Sequence, residues 1–538
     1  MRLLLRCDGG PGIGVGHVVR SLALAEEATA RGHEVALLGR VEGPFLTTLA
    51  ASVGPGLSLL GPSPSDQPAD LARSAAGYDA LHVDHYDLPE GLLGALQRPT
   101  LRPPDGPDSP APVLSTMADG TFGARAADLV VDPTVDAQWS DPPAPARWYL
   151  GGARYVALRR SVTSLRRVDP TGDPSGAQAP DAPGSRAAGS ALRVLVVMGG
   201  VDPTGAAPRV VDALAATGLE LDVVVVANEQ TRSPLSARAN AWRHGTLTVT
   251  DPVPDLPREM ATADLVVTAA GTSVWELCAM ARPMAVLAVV DNQVPGYLAL
   301  LRAGAAVGLG SPTEAPDPAA MAGALTAVLT DATARRDLAT AAGRMVDGLG
   351  AWRLVSSLEE VVGGARASRR PGEVTARAAT AADAELLWHW RNDPATRENS
   401  RSHEPVPLES HLAWLEASLA RADRHLLVGE VAGRPVGTVR WDREAAGEWE
   451  VSITVAPDSR GRGVAGGLLA AGEVWLSHEA TGGDPAAPSG GPGDRAGVAA
   501  YLAAVHTANA ASRRLFLGSG YLPDRPADAD GFERFVKF

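Results

Sequence analysis

Cysteine, lysine and aromatic residues are scarce in this 538-residue sequence. Cys7 and Cys278 are its two cysteines, Lys537 is its one lysine, and aromatic residues make up 4% of the chain. Two cysteines this far apart suggest neither a disulfide framework nor a zinc site. The basic residues are scattered and the formal net charge is −14, so a nucleic-acid partner is not expected.

Long hydrophobic runs are also missing. No apolar run reaches the roughly 20 residues that span a bilayer. The first residues read at once as strand, loop and helix rather than as a signal peptide. We therefore expect a cytoplasmic protein without a membrane span. Its 45% hydrophobic and 20% charged residues are ordinary for a globular chain, and its length predicts about three domains.

Glycine, by contrast, is concentrated just after the first apolar run. Leu3-Leu4-Leu5 predicts a buried strand, and Val18 to Arg31 predicts a helix. Between them lie Gly12, Gly14 and Gly16, which allow positive φ and the close approach of a ligand. The N-terminus of the helix then offers N–H groups to phosphate or another anion.

His17 stands at this junction, with Asp8 before it and Arg20 one turn later. A histidine can carry a proton near neutral pH, so its place in a phosphate-ready loop indicates hydrolysis or group transfer. A nicotinamide site is less favoured, because the third glycine comes one residue early and the second strand ends in Gly39-Arg40 rather than an acid. A purely structural His17 remains an alternative.

Residues 1–165 alternate short apolar runs with helical stretches, which predicts a Rossmann-like parallel sheet covered by helices. Its predicted strands include Val35–Leu38, Ala80–Val83 and Leu129–Val131. Asp84 and Tyr86 follow the second of these. Ligands bind outside the carboxyl ends of such strands, so these side chains are expected in one crevice with His17.

Residues 166–190 are rich in Pro, Gly, Ser and Ala and predict a linker. Residues 191–362 then repeat the strand–loop–helix pattern, beginning with Leu192–Met198. A small-residue loop, Gly271-Thr272-Ser273, leads into a helix and offers another N-terminus to an anion. Glu276, one turn into that helix, could accept hydrogen bonds from ribose hydroxyls. Val286–Val290 predicts a further strand. Two such domains around a cleft describe a GT-B-like architecture.

At these positions the sequence resembles a known family. The motifs, in order, are Asp8, Gly12-Ile13-Gly14-Val15-Gly16-His17 with Arg20, Asp84-His85-Tyr86, Gly199-Gly200-Val201-Asp202-Pro203, Ala270-Gly271-Thr272-Ser273-Val274-Trp275-Glu276 and Asp291-Asn292-Gln293. Over about residues 1–360 they resemble the UDP-2,4-diacetamido-2,4,6-trideoxy-β-L-altropyranose hydrolases of pseudaminic acid biosynthesis, which are related in fold to MurG-type glycosyltransferases.

The resemblance implies that water attacks the anomeric carbon and releases UDP without a metal. His17 matches the catalytic base, Glu276 the ribose-binding acid, and 271–273 the loop near the phosphates. Further substrate-binding residues implied by these motifs are Asp8, Gly14, Arg20, Asp84, Tyr86, Asn292 and Gln293. A GT-B glycosyltransferase would use the same cleft and nucleotide, and a non-catalytic sugar-nucleotide-binding protein is a third reading.

A different pattern follows a short linker at 363–372. In residues 373–538, Leu426–Val431 and Arg434–Trp441 predict a hairpin, and Trp449–Val455 predicts the next strand. That strand leads into Arg460-Gly461-Arg462-Gly463-Val464-Ala465 and a helix. Backbone N–H groups of such a loop and helix N-terminus can cradle a pyrophosphate.

This region resembles the GNAT acetyltransferases, which are α+β proteins. Arg460, Gly463 and Ala465 match the acetyl-CoA loop motif, and Asn509 and Ser512 match the second cofactor-side motif. The acetyl-CoA-binding residues implied are Val455, Arg460, Gly461, Arg462, Gly463, Val464, Ala465, Asn509 and Ser512. The early Trp390-Arg391-Asn392-Asp393-Pro394 looks like the branch that acts on amino sugars and protein N-termini.

Glu450 is a possible base for the acetyl acceptor, acting through water. Many GNAT enzymes carry a tyrosine acid where this chain has Phe516, and Tyr521 is a weak substitute for it. The two resemblances together predict a bifunctional enzyme. One part would N-acetylate the 4-amino group of a UDP-amino-sugar with acetyl-CoA, and the other would remove UDP from the product.

Overall fold

The computed structural model describes the chain in two compact units, one ending at Val355 and the other comprising Ser356–Phe538. It describes all residues except 11, 12, 14, 64, 86–90, 98–110, 119–124, 136–145, 167–190, 200, 201, 203, 254, 313–316, 364–373, 401, 446 and 482–497. Apart from their first residues, both predicted linkers lie outside the described part, so the predicted domain boundaries stay predictions.

The N-terminal unit opens with a parallel sheet of seven described strands in the order β3-β2-β1-β4-β5-β6-β7. These are β1 (Arg2–Arg6), β2 (Glu34–Leu38), β3 (Leu57–Gly61), β4 (Ala80–Val83), β5 (Val113–Met117), β6 (Ala127–Asp132) and β7 (Ala146–Gly151). Its helices are α1 (Gly16–Ala30), α2 (Pro44–Val53), α3 (Pro68–Ser74), α4 (Leu92–Leu96) and α5 (Arg160–Thr163). Leu3, Leu4 and Leu5 are fully buried, as expected for a strand covered on both faces.

A second parallel sheet follows, with its described strands in the order β10-β9-β8-β11-β12-β13. They are β8 (Leu192–Val197), β9 (Leu221–Val226), β10 (Gly245–Thr250), β11 (Leu265–Ala269), β12 (Met284–Leu287) and β13 (Val307–Gly308). The helices are α6 (Ala206–Ala216), α7 (Glu229–Ala241), α8 (Leu256–Thr262), α9 (Ser273–Ala279), α10 (Val294–Arg302), α11 (Pro318–Thr330), α12 (Ala332–Met345) and α13 (Gly350–Val362).

In each of these sheets the chain order reverses beside the first strand. Strand β1 lies between β2 and β4, and β8 lies between β9 and β11. Crevices form at the carboxyl ends of strands at such reversal points, and ligands bind there. The predicted pair of Rossmann-type domains is therefore confirmed, and the strand order fixes where its binding crevices lie.

The C-terminal unit is built on a mixed sheet with described strands in the order β14-β15-β16-β17-β18-β20-β19. They are β14 (Thr375–Ala378), β15 (Arg424–Val431), β16 (Arg434–Ala445), β17 (Glu448–Val455), β18 (Ala500–His506), β19 (Leu522–Arg525) and β20 (Phe532–Lys537). Its helices are α14 (Ala384–Asn392), α15 (Pro394–Glu398), α16 (Leu408–Leu419), α17 (Val464–Thr481) and α18 (Ala510–Gly518). Of these strand pairs, only β17 and β18 run parallel.

One predicted strand is displaced. The strand predicted at Val286–Val290 is β12, Met284–Leu287, because the chain turns into a short 3-10 helix at Asp291–Gln293. The two cysteines, Cys7 and Cys278, are buried and unpaired. Of the described helices, none is long and apolar enough to cross a bilayer.

Candidate active sites

His17 lies in the first turn of α1, at the carboxyl edge of the first sheet, and is 5% exposed. Its Nδ1 atom is 2.7 Å from the Oδ1 atom of Asp84, which directly follows β4. Arg20, one turn along α1, donates from Nη2 to the same oxygen over 2.7 Å and from Nε to Oδ2. Adjacent parallel strands β1 and β4 bring these three side chains together.

The surroundings of Asp84 fix its charge. Burial alone would raise the pKa of this fully buried carboxyl, but the Arg20 charge and the hydrogen bonds from Arg20 and His17 hold the pKa well below its usual range. A carboxylate only accepts hydrogen bonds, so His17 Nδ1 donates to it. The neutral imidazole then carries its lone pair on Nε2, the atom that a general base uses.

Asp84 is one of the predicted substrate-binding residues, and that role stays a prediction. Its carboxylate is fully buried and holds His17 and Arg20, so it orients the histidine instead of lining the cleft. Asp8 is likewise 4% exposed, with its carboxylate bonded to Arg6 and His85. Gly14 and Tyr86, the other predicted residues of this half, lie outside the described residues.

A cleft of about 1040 Å³ lies between the two parallel sheets of the N-terminal unit. His17 and Arg20 line one side of it, and Gly271, Thr272 and Glu276 line the other. A Cβ atom placed on Gly16 would lie 3.4 Å from the methyl group of Thr272, which measures how closely the two loops approach. Ser273, which opens α9, is not among the lining residues.

Glu276 is 8% exposed and accepts a hydrogen bond from Arg159 Nη2 over 3.2 Å. Burial raises the pKa of Glu276, and the Arg159 charge partly opposes that rise. Sequence reasoning missed Arg159, because nothing local links it to a helix more than a hundred residues later. Asn292 and Gln293 also line the cleft, and the Gln293 side-chain oxygen accepts from the Val289 N–H over 3.0 Å.

The second candidate site lies where β17 and β18 separate. These strands pair over Glu448–Val451 and Ala500–Ala503 and then diverge. A pocket of about 570 Å³ lies beyond the paired part, lined by 452–454 of β17 and 504–506 of β18. Glu450 of β17, Ser512 and Phe516 of α18, and Asn509, which directly precedes α18, also line this pocket. The predicted acceptor base and the second cofactor-side motif thus share one cavity.

The predicted acetyl-CoA loop connects β17 to α17. Gly461 and Gly463 have φ of +73° and +76°, and a Cβ atom on either would meet nothing within 4 Å. Glycine is therefore needed for the backbone conformation, and the space above the loop is open. Helix α17 begins at Val464, so its first N–H groups are available to an anion. Val455, Arg462 and Ala465 lie on the same strand–loop–helix segment.

Two predicted residues of this site have protein partners. Arg460 forms an ion pair with Asp393 over 2.6 Å and donates to Thr396 Oγ1 over 2.8 Å, so its side chain binds the start of α15. The side chain of Asn509 caps α18 by accepting from the Ser512 N–H over 3.0 Å.

The hydroxyl of Tyr521 does not take the place of the tyrosine hydroxyl that is missing at position 516. Tyr521 is fully buried and donates its hydroxyl hydrogen to Glu473 over 2.9 Å, and Lys537 binds the other oxygen of Glu473 over 2.6 Å. It is not among the residues that line the pocket. The pocket therefore has a phenylalanine ring where many GNAT enzymes have a phenol.

Comparison with known protein families identifies a domain in the C-terminal unit. Residues 373–521 match the family model described as the acetyltransferase (GNAT) domain. The C-terminal unit carries a GNAT acetyltransferase domain. No curated protein sequence matches the chain significantly.

Among solved structures, the chain is similar to Acinetobacter baumannii MurG, with 16% identity over 67% of this chain and 99% of that one, at a TM-score of 0.46. It is also similar to the Vibrio cholerae spermidine N-acetyltransferase in complex with CoA and spermine, with 15% identity over 31% and 95% of the chains and a TM-score of 0.26. An aminoglycoside acetyltransferase, AAC(6')-Ib, in complex with coenzyme A matches at 18% identity over 30% and 94%, with a TM-score of 0.25. Among the described residues, no group of three or more His, Cys, Asp or Glu could hold a metal ion.

Proposed function

We propose that this chain is a bifunctional sugar-nucleotide enzyme of pseudaminic (nonulosonic) acid biosynthesis. In this proposal the GNAT domain N-acetylates the 4-amino group of a UDP-linked 4-amino-4,6-dideoxy-N-acetyl-β-L-altrosamine with acetyl-CoA. The N-terminal unit then hydrolyses UDP-2,4-diacetamido-2,4,6-trideoxy-β-L-altropyranose to UDP and free sugar. The observation that carries the proposal is that His17, hydrogen-bonded to the buried carboxylate of Asp84, lies beside Arg20 on the wall of a cleft large enough for a sugar nucleotide.

For hydrolysis, His17 Nε2 takes a proton from water as the water oxygen bonds to the anomeric carbon. The bond between that carbon and the phosphate oxygen of UDP breaks, and its electron pair leaves with UDP. Backbone N–H groups at the starts of α1 and α9 stabilise the charge that develops on the leaving phosphate. A positioned general base contributes about 10²–10⁴-fold to such a rate. Asp84 supports this step by holding the imidazole in one tautomer.

For acetyl transfer, bound acetyl-CoA supplies a thioester. The 4-amino nitrogen bonds to its carbonyl carbon as the carbon–sulfur bond breaks, and the electron pair of that bond leaves with the sulfur as the CoA thiolate, which takes its proton from solvent water. Glu450, through water, accepts the proton that the amine loses. Gly461, Gly463 and the start of α17 hold the pyrophosphate of the coenzyme. Phe516 has no proton for the departing sulfur, so the side chain at this position takes no part in that transfer.

The direct test is UDP release from the diacetamido sugar nucleotide with no acceptor added. We expect turnover by the wild type, a loss of about 10²–10⁴-fold in His17→Ala, and a comparable loss in Asp84→Asn, because the asparagine no longer fixes the donating tautomer. His244→Ala, a histidine that does not line the cleft, is the matched control and should retain full activity. UDP binding by each variant shows that the cleft is intact.

Other results of the UDP-release test would support a different function. Release only in the presence of a sugar or lipid acceptor would make the N-terminal unit a glycosyltransferase. Equal release by the wild type and His17→Ala would keep the hydrolase and reject His17 as its base. Binding of the nucleotide without any turnover would favour a binding protein.

A further inference from the structure

Two arginines of the GNAT domain take no part in the chemistry described above: Arg391 lines its pocket, and Arg397 follows Thr396, which also lines it. Arg391, near the end of α14, lines the pocket next to Trp390, and Arg397 lies on α15. Arg391 Nη2 donates to the Ser402 carbonyl over 2.9 Å, and Arg397 Nη1 donates to the His403 carbonyl over 3.0 Å. The hydrogen-bond partners of both guanidinium groups are thus neutral backbone oxygens.

One buried nitrogen of each guanidinium group has no acceptor among the described residues. Arg391 Nη1 and Arg397 Nε are buried and donate to no acceptor among the described residues. Burial, and the positive charge of Arg397, lower the pKa of Arg391. Arg440, another arginine of the pocket wall, differs because it donates to Asp442 over 2.7 Å. Buried charged donors without acceptors are costly unless a ligand supplies the acceptor.

The segment that carries these arginines is held rigidly. Asn392 donates to the Val406 carbonyl over 2.9 Å and accepts from the Val406 N–H over 2.7 Å, and Trp388 donates to the same carbonyl over 2.7 Å. Asp393 accepts from Arg460, as described above. The arginine pair is therefore preorganised, and a ligand that binds it need not order the segment first.

We propose that Arg391 and Arg397 form an anion subsite that binds a phosphate group of the acetyl acceptor. The GNAT domain then prefers amino sugars attached to phosphate over the same amino sugars without it. Arginine suits this task because its planar fork of N–H groups matches phosphate oxygens. The inference rests on the proposed function, in which the acceptor is a UDP-linked amino sugar, and names the part of the acceptor that the site recognises.

The first experiment measures acetyl transfer by the full-length protein through release of the CoA thiol. Acceptors are used in pairs: the UDP-linked 4-amino sugar with its free sugar, and glucosamine 1-phosphate with glucosamine. We expect Arg391→Gln and Arg397→Gln to raise KM for the phosphate-bearing member by about 10–100-fold, the effect of losing a charge-assisted hydrogen bond. The kcat and the KM for acetyl-CoA should stay within about twofold of wild type. Arg434→Gln, at an exposed hairpin position, is the control.

The outcomes separate this inference from the function on which it rests. If the UDP-linked sugar is acetylated but both variants treat each pair as the wild type does, the proposed function stands and the subsite is rejected. If only glucosamine 1-phosphate is acetylated, and the variants lose that preference, the subsite stands and the proposed acceptor is wrong. A rise confined to the KM for acetyl-CoA would assign the arginines to the coenzyme phosphates and overturn the proposal.

A binding measurement tests the anion subsite even if no acceptor is acetylated. Inorganic pyrophosphate is titrated calorimetrically into the full-length protein saturated with CoA, which fills the phosphate loop before α17. The wild type and Arg434→Gln should show one more pyrophosphate site than Arg391→Gln, because any site in the N-terminal unit is common to all three proteins. Identical isotherms for the three proteins would overturn the proposal.

Discussion

Two histidines near the end of β4 show how their surroundings assign them different roles. His17 lies on the cleft wall and donates to Asp84. His82, on β4 itself, is 1% exposed, and its Nδ1 atom is 2.9 Å from the Ser115 hydroxyl. Burial lowers the pKa of His82 to about 4, so this ring is neutral in the folded protein at neutral pH. His82 is therefore a packed core residue, whereas His17, the proposed base, lies on the cleft wall.

His82 predicts a specific dependence of stability on pH. Its pKa of about 4 in the folded protein lies below the unfolded value of about 6.5, so the unfolded chain binds a proton first as the pH falls. The neutral His82 ring therefore contributes fully to the free energy of unfolding above about pH 6.5. This contribution, up to about 3 kcal/mol, is lost as the pH falls to about 4. Urea unfolding of His82→Gln should therefore show a flatter pH dependence in this window than the wild type.

His244→Gln is the control, and its pH dependence should match that of the wild type. Parallel curves for His82→Gln and the wild type across this window would contradict the assignment of His82 as a neutral, buried ring.

Sequence reasoning identified the candidate site residues that lie in short motifs, but it missed most of the residues that contact them in the fold. His17, Glu276 and the glycines at 461 and 463 were found because short motifs surround them. Arg159 was missed, since its partner Glu276 lies 117 residues later in the chain. Arg391 was noted only as part of the Trp390–Pro394 motif, and Arg397 was not singled out. Asp84 was expected to bind substrate, but its burial was not readable from the sequence. The predicted roles of these residues stay predictions until the activities are measured.

At the scale of elements, helix α17 depends on two glycines in the strands below it. A Cβ atom on Gly429 would lie 2.1 Å from Leu468 Cδ1, and one on Gly437 would lie 2.5 Å from Leu468 Cδ2 and 2.5 Å from the Thr454 carbonyl oxygen. Leu468 is fully buried. Because Gly429 and Gly437 carry no side chain, α17, which follows the predicted acetyl-CoA loop, can pack closely on the sheet.

We predict that Gly437→Ala destabilises the C-terminal unit by about 1–3 kcal/mol, because overpacking displaces Leu468 or the strand. Gly466→Ala, in α17 with open space around its Cβ position, should leave stability unchanged or raise it slightly. Chemical denaturation of the full-length variants measures both. Equal stability of Gly437→Ala and the wild type would show that the sheet accommodates a methyl group here.

The elements that sequence reasoning found are those with strong hydrophobic patterns. Strands β1, β4 and β8 were predicted within a residue or two, because continuous apolar runs of this length are typical of buried parallel strands. Strand β3 was not predicted. It lies at the sheet edge, where Leu59 is 51% exposed, and its short Leu57-Ser58-Leu59-Leu60 run was not interpreted as a strand.

At the scale of the whole molecule, two units with separate pockets belong to one chain. A histidine held by a carboxylate lines the N-terminal cleft. The GNAT domain has the predicted acetyl-CoA loop, with open space above its glycines, and a pocket between separating strands. The sequence predicted this division into a Rossmann-type pair and a GNAT domain. In the proposed function the product of the second unit is the substrate of the first, and fusion raises its local concentration.

In the proposed function, both units act in sequence on one sugar nucleotide. The most direct measurement supplies the full-length protein with the UDP-linked 4-amino sugar and follows UDP release with and without acetyl-CoA. We predict release only when acetyl-CoA is present, with the acetylated nucleotide accumulating instead in His17→Ala. UDP release that is equally fast without acetyl-CoA, or acetylation by the wild type that never leads to UDP release, would contradict the account.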